Sequence, residues 1–177
     1  MSISTKFETF NNNIRISQDN QNKISSRYKQ ITKRLNLDFY GSDSETNHSL
    51  YVGSYGRDTD IHVSDVDMLF QLSYKVYERY NKYSGNKQSA LLQAVKVSLQ
   101  KTYSTSHIKG DGQVIGINFN DGICFEIVPC FINNDNSFTY PDTNNEEKTT
   151  HFTDTQPGWR LTLELRSVNS RFLDLSF

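Results

Sequence analysis

Net charge, cysteine and long apolar runs are all scarce in this 177-residue chain. Lysine plus arginine number 19 against 20 aspartate plus glutamate, a formal net charge of −1. A chain so balanced has no global basic field to hold a phosphate backbone, so strong nucleic-acid binding is not expected. No apolar run approaches the roughly 20 residues that span a bilayer. The N-terminal stretch "MSISTKFETFNNNIR" has no apolar core of the kind a signal peptide carries. The expectation is a soluble, cytoplasmic protein without a membrane partner. The two cysteines, Cys124 and Cys130, lie close together in one apolar segment. No other Cys or His spacing completes a zinc site, so they read as buried reduced thiols rather than a disulfide or a metal pair. Internal repeats are absent, and the length suits one domain with its own core.

Phe7, Phe10 and Ile14 recur at helical spacing and predict a short first helix. Ile24, Tyr28, Ile31 and Leu35 form a clearer amphipathic stripe with Lys and Arg opposite. Gly41 to His48 is turn-rich, and Leu50 to Val52 is a short apolar approach to a Gly-Ser turn. Val63 to Leu72 then reads as a strand. Val66, Met68, Phe70 and Leu72 face one way, and Asp65, Asp67, Leu69 and Gln71 face the other. "YKVYERYNKYSGN" reads as a loop with a helical turn, and Ser89 to Tyr103 as a helix. Val114 to Phe119 and Ile123 to Val128 are two strands joined by Asn120-Asp121-Gly122, where Asp-Gly suits a type I′ turn. Asn133 to Thr155 is rich in Asn, Asp and Thr and reads as loop. This order gives an α+β domain: a small mixed sheet with helices packed on one face.

The chemistry concentrates in "GSYGRDTDIHVSDVDMLF", Gly53 to Phe70. Residues two apart in a strand project to the same face, roughly 7 Å apart. Asp65 and Asp67 therefore converge on one side while Val66 packs into the core. Burying two like charges together is costly unless a cation sits between them. Glu126 stands out in the same way within "ICFEIVPCF", pointing away from the core face of Phe125 and Ile127. If the two strands are neighbours, three carboxylates share one sheet face. Such a set suits hard cations such as Mg²⁺, with Mn²⁺ an alternative, and two ions about 4 Å apart would clamp a phosphoryl displacement. Gly53 lets backbone amides approach a phosphate, and Ser54 adds a hydroxyl donor. Each part alone is common in proteins; the order and spacing together are not.

These motifs resemble the DNA polymerase β-type nucleotidyltransferase superfamily, which carries a Gly-Ser motif, an Asp-x-Asp strand and a third acid on a later strand. "VGSYGRDTDIHVSDVDMLFQL", "ALLQAVKVSLQKTY", "KGDGQVIGINFNDGICFEIVPCF" and "YPDT…PGW" resemble more closely the bacterial cyclic-oligonucleotide synthases. These are the SMODS nucleotidyltransferases of anti-phage signalling, relatives of cyclic GMP-AMP synthase and oligoadenylate synthase. The resemblance covers about residues 5 to 160. It implies a polymerase β-type fold and synthesis of a cyclic or short linear oligonucleotide second messenger from nucleoside triphosphates. By it, Asp65 and Asp67 would hold both Mg²⁺ ions and Glu126 the ion that activates the attacking hydroxyl. Gly53 and Ser54 would hold the donor triphosphate. Many relatives carry Asp at the third position, and Glu126 has a longer reach. Arg57 stays open between a phosphate contact and a solvated side chain.

Family members continue past the tryptophan that corresponds to Trp159 into a helical half that completes the nucleotide pockets. Here the chain runs "GWRLTLELRSVNSRFLDLSF". The resemblance thus implies a catalytic domain over residues 1–160 that lacks its helical half, and an atypical tail over 161–177. A second chain supplying that half is the implied partner. Two other readings stay open: a truncated, inactive nucleotide-binding fragment, and a minimal nucleotidyltransferase that modifies a protein or small molecule. In the last case, label from a nucleoside triphosphate would appear on the acceptor rather than in a nucleotide product.

Overall fold

The computed structural model describes residues 2–56, 65–143 and 153–154. Helix α1 (Ile3–Ile14) leaves Ile3, Phe7 and Phe10 exposed. Helix α2 (Gln18–Tyr40) begins at Ser17, whose hydroxyl accepts from the Asn20 N–H. It ends at Gly41, which adopts a left-handed φ of 66° and donates its N–H to the Asn36 carbonyl. The expected stripe is real: Ile24, Ile31 and Leu35 are fully buried, and Tyr28 packs against the same core.

The remaining elements are β1 (Ser49–Tyr51), α3 (Gly53–Gly56), β2 (Asp65–Gln71), α4 (Tyr74–Asn81), α5 (Lys87–Gln100), β3 (His107–Asp111), β4 (Val114–Asn118), β5 (Cys124–Ile132), β6 (Phe138–Tyr140) and β7 (Thr153–Asp154). The main sheet runs β1-β2-β5-β4-β3, and β6 pairs with β5 and β7 with β6. β2 and β5 are parallel and the other pairs antiparallel, so the sheet is mixed. One face carries Val66, Met68, Phe70, Phe125, Ile127, Ile115 and Ile117, all fully buried against α2 and α5 residues. Each such side chain contributes roughly 1.5–3 kcal/mol by leaving water. This is the α+β arrangement expected, with helices packed on one face.

The opposite face divides in two. Leu69, Val114, Val128 and Cys130 form a smaller apolar cluster, covered by Val52, Phe138 and Tyr140. Asp65, Asp67 and Glu126 occupy the other end of the same strands.

Several local expectations shift. The first strand spans Asp65–Gln71; residues 63 and 64 lie outside the described residues, and Leu72 is buried just beyond the strand. The helix expected from Ser89 starts at Lys87, because the Asn86 side chain caps it by accepting from the Ser89 N–H. Tyr74–Asn81 is a full helix rather than a loop, since Tyr80 is buried and Val76 and Tyr77 pack on the core. Strands β3 and β6 carry too little local alternation to be expected from the sequence. The β3–β4 connection is Gly112-Gln113 with Gly112 alone at positive φ (60°), the pattern of a type II′ hairpin. The β4–β5 turn is not type I′: Asp121 lacks a positive φ, while Gly122 has φ 85°. Its Gly122 N–H donates to the Phe119 carbonyl at 3.1 Å, as in a type I turn followed by a left-handed glycine. The stretch from 161 to 177 lies outside the described residues, as does Trp159.

Candidate active site

The parallel pairing of β2 with β5 sets Asp65 opposite Cys124 and Asp67 opposite Glu126. Adjacent strands lie about 4.8 Å apart, so Asp67 and Glu126 are nearest cross-strand neighbours on one face. Their chain neighbours Val66 and Phe125 are both fully buried on the other face. The expected register thus brings Asp65, Asp67 and Glu126 to one side of the sheet. Asp65 and Asp67 are half-buried, whereas Glu126 is only 6% exposed.

That burial governs Glu126. Loss of water pushes its carboxyl up to about 7, and the negative charges of Asp67, Asp65 and Asp111 push in the same direction. Its Oε2 is buried and has no hydrogen-bond partner among the described residues. An oxygen held this way is costly in the absence of a cation or donor. Asp111, at the end of β3, is a fourth acid near this face, one that sequence reasoning missed. The Gly112-Gln113 hairpin is the signal that places it there. Among the described residues no group of three or more His, Cys, Asp or Glu side chains is drawn together closely enough to enclose a metal ion. The donor set is nonetheless all oxygen and anionic, which suits a hard divalent cation.

The Gly-Ser turn is fastened to the same place. The Val52 N–H donates to the Asp67 carbonyl at 3.0 Å. Gly53 has φ 65°, and a Cβ there would lie 1.9 Å from Asp67 Oδ2. The glycine is thus required by the Asp67 carboxylate itself, in addition to any phosphate. Gly56 is confined too: a Cβ would meet the Tyr51 carbonyl oxygen at 2.6 Å. The Tyr51 ring stacks on Tyr28 at 3.9 Å and contacts Tyr55 at 4.9 Å, holding the turn against α2. Ser54 follows Gly53 within this single turn and is half-buried. Arg57 lies outside the described residues.

Both cysteines are free. They stand six residues apart on one strand, about 20 Å by strand rise, so they cannot pair. Cys130 is buried, and that burial pushes its thiol up to about 12. Cys124 is half-buried on the acidic face and donates to Asn118 Oδ1 at 2.8 Å. Burial first, and the charges of Asp65, Glu126 and Asp67 next, push its thiol up to about 12.

Comparison with known proteins gives a consistent picture. The family model of the Second Messenger Oligonucleotide or Dinucleotide Synthetase (SMODS) domain matches residues 1–162. Comparison with curated proteins gives no match. Among solved structures, the chain is similar to the CD-NTase CdnG of Bradyrhizobium diazoefficiens, solved in complex with GTP. That match is 15% identical and covers 82% of this chain and 40% of that one, at a TM-score of 0.60. It is similar as well to the CdnE cyclic dinucleotide synthase of Elizabethkingia meningoseptica with GTP and Apcpp: 18% identical, 81% and 56% covered, TM-score 0.51. The CdnC of the E. coli MS115-1 CdnC:HORMA-deltaN complex is 15% identical, 87% and 46% covered, TM-score 0.55. The fold is therefore that of the polymerase β-type nucleotidyltransferases, and the chain spans 40–56% of the length of these structures.

Proposed function

The chain belongs to the SMODS domain family, and from that premise we propose that it is a nucleotidyltransferase that joins nucleoside triphosphates into a cyclic or short linear oligonucleotide signal. The observation that carries this reading is the in-register pair Asp67–Glu126, with Glu126 Oε2 buried and without a hydrogen bond among the described residues. Asp65, Asp67 and Glu126 would hold two Mg²⁺ or Mn²⁺ ions. When bound, the cations supply charge neutralisation on the transferred phosphoryl group and a lowered pKa for the attacking hydroxyl. Gly53 and Ser54 would bind the donor triphosphate, Ser54 through its hydroxyl. The apolar cluster of Leu69, Val114 and Val128 borders the acids on the same sheet face. A role in anti-phage defence follows from the family resemblance alone. Among the described residues no helix is long and apolar enough to cross a membrane.

The test is metal-dependent turnover of the four ribonucleoside triphosphates, with products resolved by chromatography and mass spectrometry. Oligonucleotide product that disappears with EDTA and in Asp67→Ala supports the reading. Product that persists in Asp67→Ala would place the chemistry elsewhere. A second reading rests on the length covered, since this chain spans 40–56% of its structural neighbours. Under it the chain binds nucleotide but turns over slowly, because one wall that seats the acceptor comes from another segment or chain. Adding such a helical half would then raise turnover by orders of magnitude. Label found on a protein or small molecule would favour the minimal-transferase alternative.

A further inference from the structure

Gly116 sits at the centre of β4, and the packing of this chain does not call for a glycine there. Its φ is not positive, and a Cβ would meet only the Lys109 carbonyl oxygen at 3.8 Å, an ordinary contact. A glycine inside a strand weakens it, and where the backbone does not require one, close approach by a ligand or another chain is the usual reason. Its neighbours Ile115 and Ile117 are fully buried on the helix side, so Gly116 lies on the acidic face.

Register places it more closely. Across the sheet one row reads Asp67, Glu126, Gly116, Lys109. Two carboxylates are followed by a strip with no side chain, and then by an exposed cation. The strip borders Glu126, whose side chain is more than nine-tenths buried and whose Oε2 has no hydrogen bond among the described residues.

With this face read as a nucleotidyltransferase centre, the donor side of Glu126 is taken by Gly53, pressed against the Asp67 carboxylate on the β1–β2 side. The second substrate must then reach Glu126 from the opposite side, over β4. Building on that reading of the site, we infer that Gly116 is the floor of the acceptor seat. The sugar of a second nucleoside triphosphate lies over β4 at Gly116, with its hydroxyl toward Glu126 and its phosphates toward Lys109. A side chain at 116 would fill the space the sugar needs, without touching the donor turn.

The experiment counts bound nucleotide. A non-hydrolysable ATP and GTP analogue mixture is titrated calorimetrically into the protein with Mg²⁺, and melting temperatures are measured in parallel. The parent should bind two equivalents. Gly116→Val suits a strand and should keep the first equivalent while weakening the second by about 10- to 100-fold. Gly116→Ala should weaken the second by about 5- to 10-fold, and it carries the test if the valine variant does not fold. Unchanged binding of both equivalents in the variants overturns the inference and leaves the nucleotidyltransferase reading standing. A parent that binds one equivalent does the same, as does a variant that loses the first. A parent that binds none refutes the reading of the site and this inference with it.

Discussion

Gly41 and Gly53 form a matched pair that isolates what the Gly-Ser turn does. Their φ angles are 66° and 65°, but a Cβ at Gly41 meets nothing within 4 Å, whereas one at Gly53 lies 1.9 Å from Asp67 Oδ2. Gly41→Ala therefore carries only the left-handed strain, about 1–2 kcal/mol. In a chain of this size each kcal/mol lowers Tm by roughly 2–4 °C, so a fall of about 2–8 °C is expected. Gly53→Ala carries the same strain and a collision that Asp67 cannot relieve by moving its tip alone. The Asp67 Cγ and Cβ would also lie 2.8 and 3.1 Å from the new atom. The carboxylate must swing or β2 must shift, an overpacking cost of about 1–3 kcal/mol and a further fall of roughly 2–12 °C. Because Asp67 is the displaced group, Mn²⁺-dependent triphosphate binding should weaken by at least about tenfold in Gly53→Ala and stay unchanged in Gly41→Ala. Thermal melts and calorimetry read the two effects separately. Equal melting temperatures and equal nucleotide affinities in the two variants would refute the coupling of the turn to Asp67.

The pH dependence of stability has a definite sign. The folded protein without metal holds a proton on Glu126 up to about pH 7, against 4.5 for an ordinary Glu. Between those values the native state binds more protons than the unfolded state, so stability falls as pH rises through the window, on the order of 2–3 kcal/mol. Glu126→Gln should flatten that slope in melts run from pH 4.5 to 8 with EDTA, and an unchanged slope would assign it to other groups. The carboxyls of Asp38 and Asp121, lowered from 3.8, act only at more acid pH. Ser54→Ala should weaken triphosphate binding by roughly 10- to 100-fold with little change in Tm, since one hydrogen bond to a charged group is lost; a fall in Tm with affinity intact would make Ser54 a structural residue. Arg27 donates to both oxygens of Asp121, at 3.0 and 2.8 Å, and lies 3.9 Å over the Phe119 ring, tying α2 to the β4–β5 turn. Arg27→Ala should cost about 1–2 kcal/mol, read as a lower urea midpoint, and an unchanged midpoint would show that the pair contributes nothing to stability.

The period-two alternation of β2 is legible in the chain alone. Apolar side chains at Val66, Met68 and Phe70 can be buried together only if Asp65 and Asp67 face away from them. The same reasoning orients Glu126 against Phe125 and Ile127, and the 3.6-residue stripe of Ile24, Ile31 and Leu35 identifies α2. These patterns are local, and local sequence carries them. Which strands become neighbours is not local. The parallel pairing that sets Asp67 against Glu126 joins segments nearly sixty residues apart, and it forms because both strands bury their apolar faces on the same helices. Strand β3 and helix α4 escape a local reading for the same reason: β3 is completed by pairing with β4, and α4 by Tyr80 reaching the core. Gly53 is recognisable along the chain as a turn glycine, while nothing beside Gly116 in the chain singles it out. Only the assembled sheet shows the first pressed against a carboxylate and the second bare beside one, because both facts depend on what lies across the strands rather than along them.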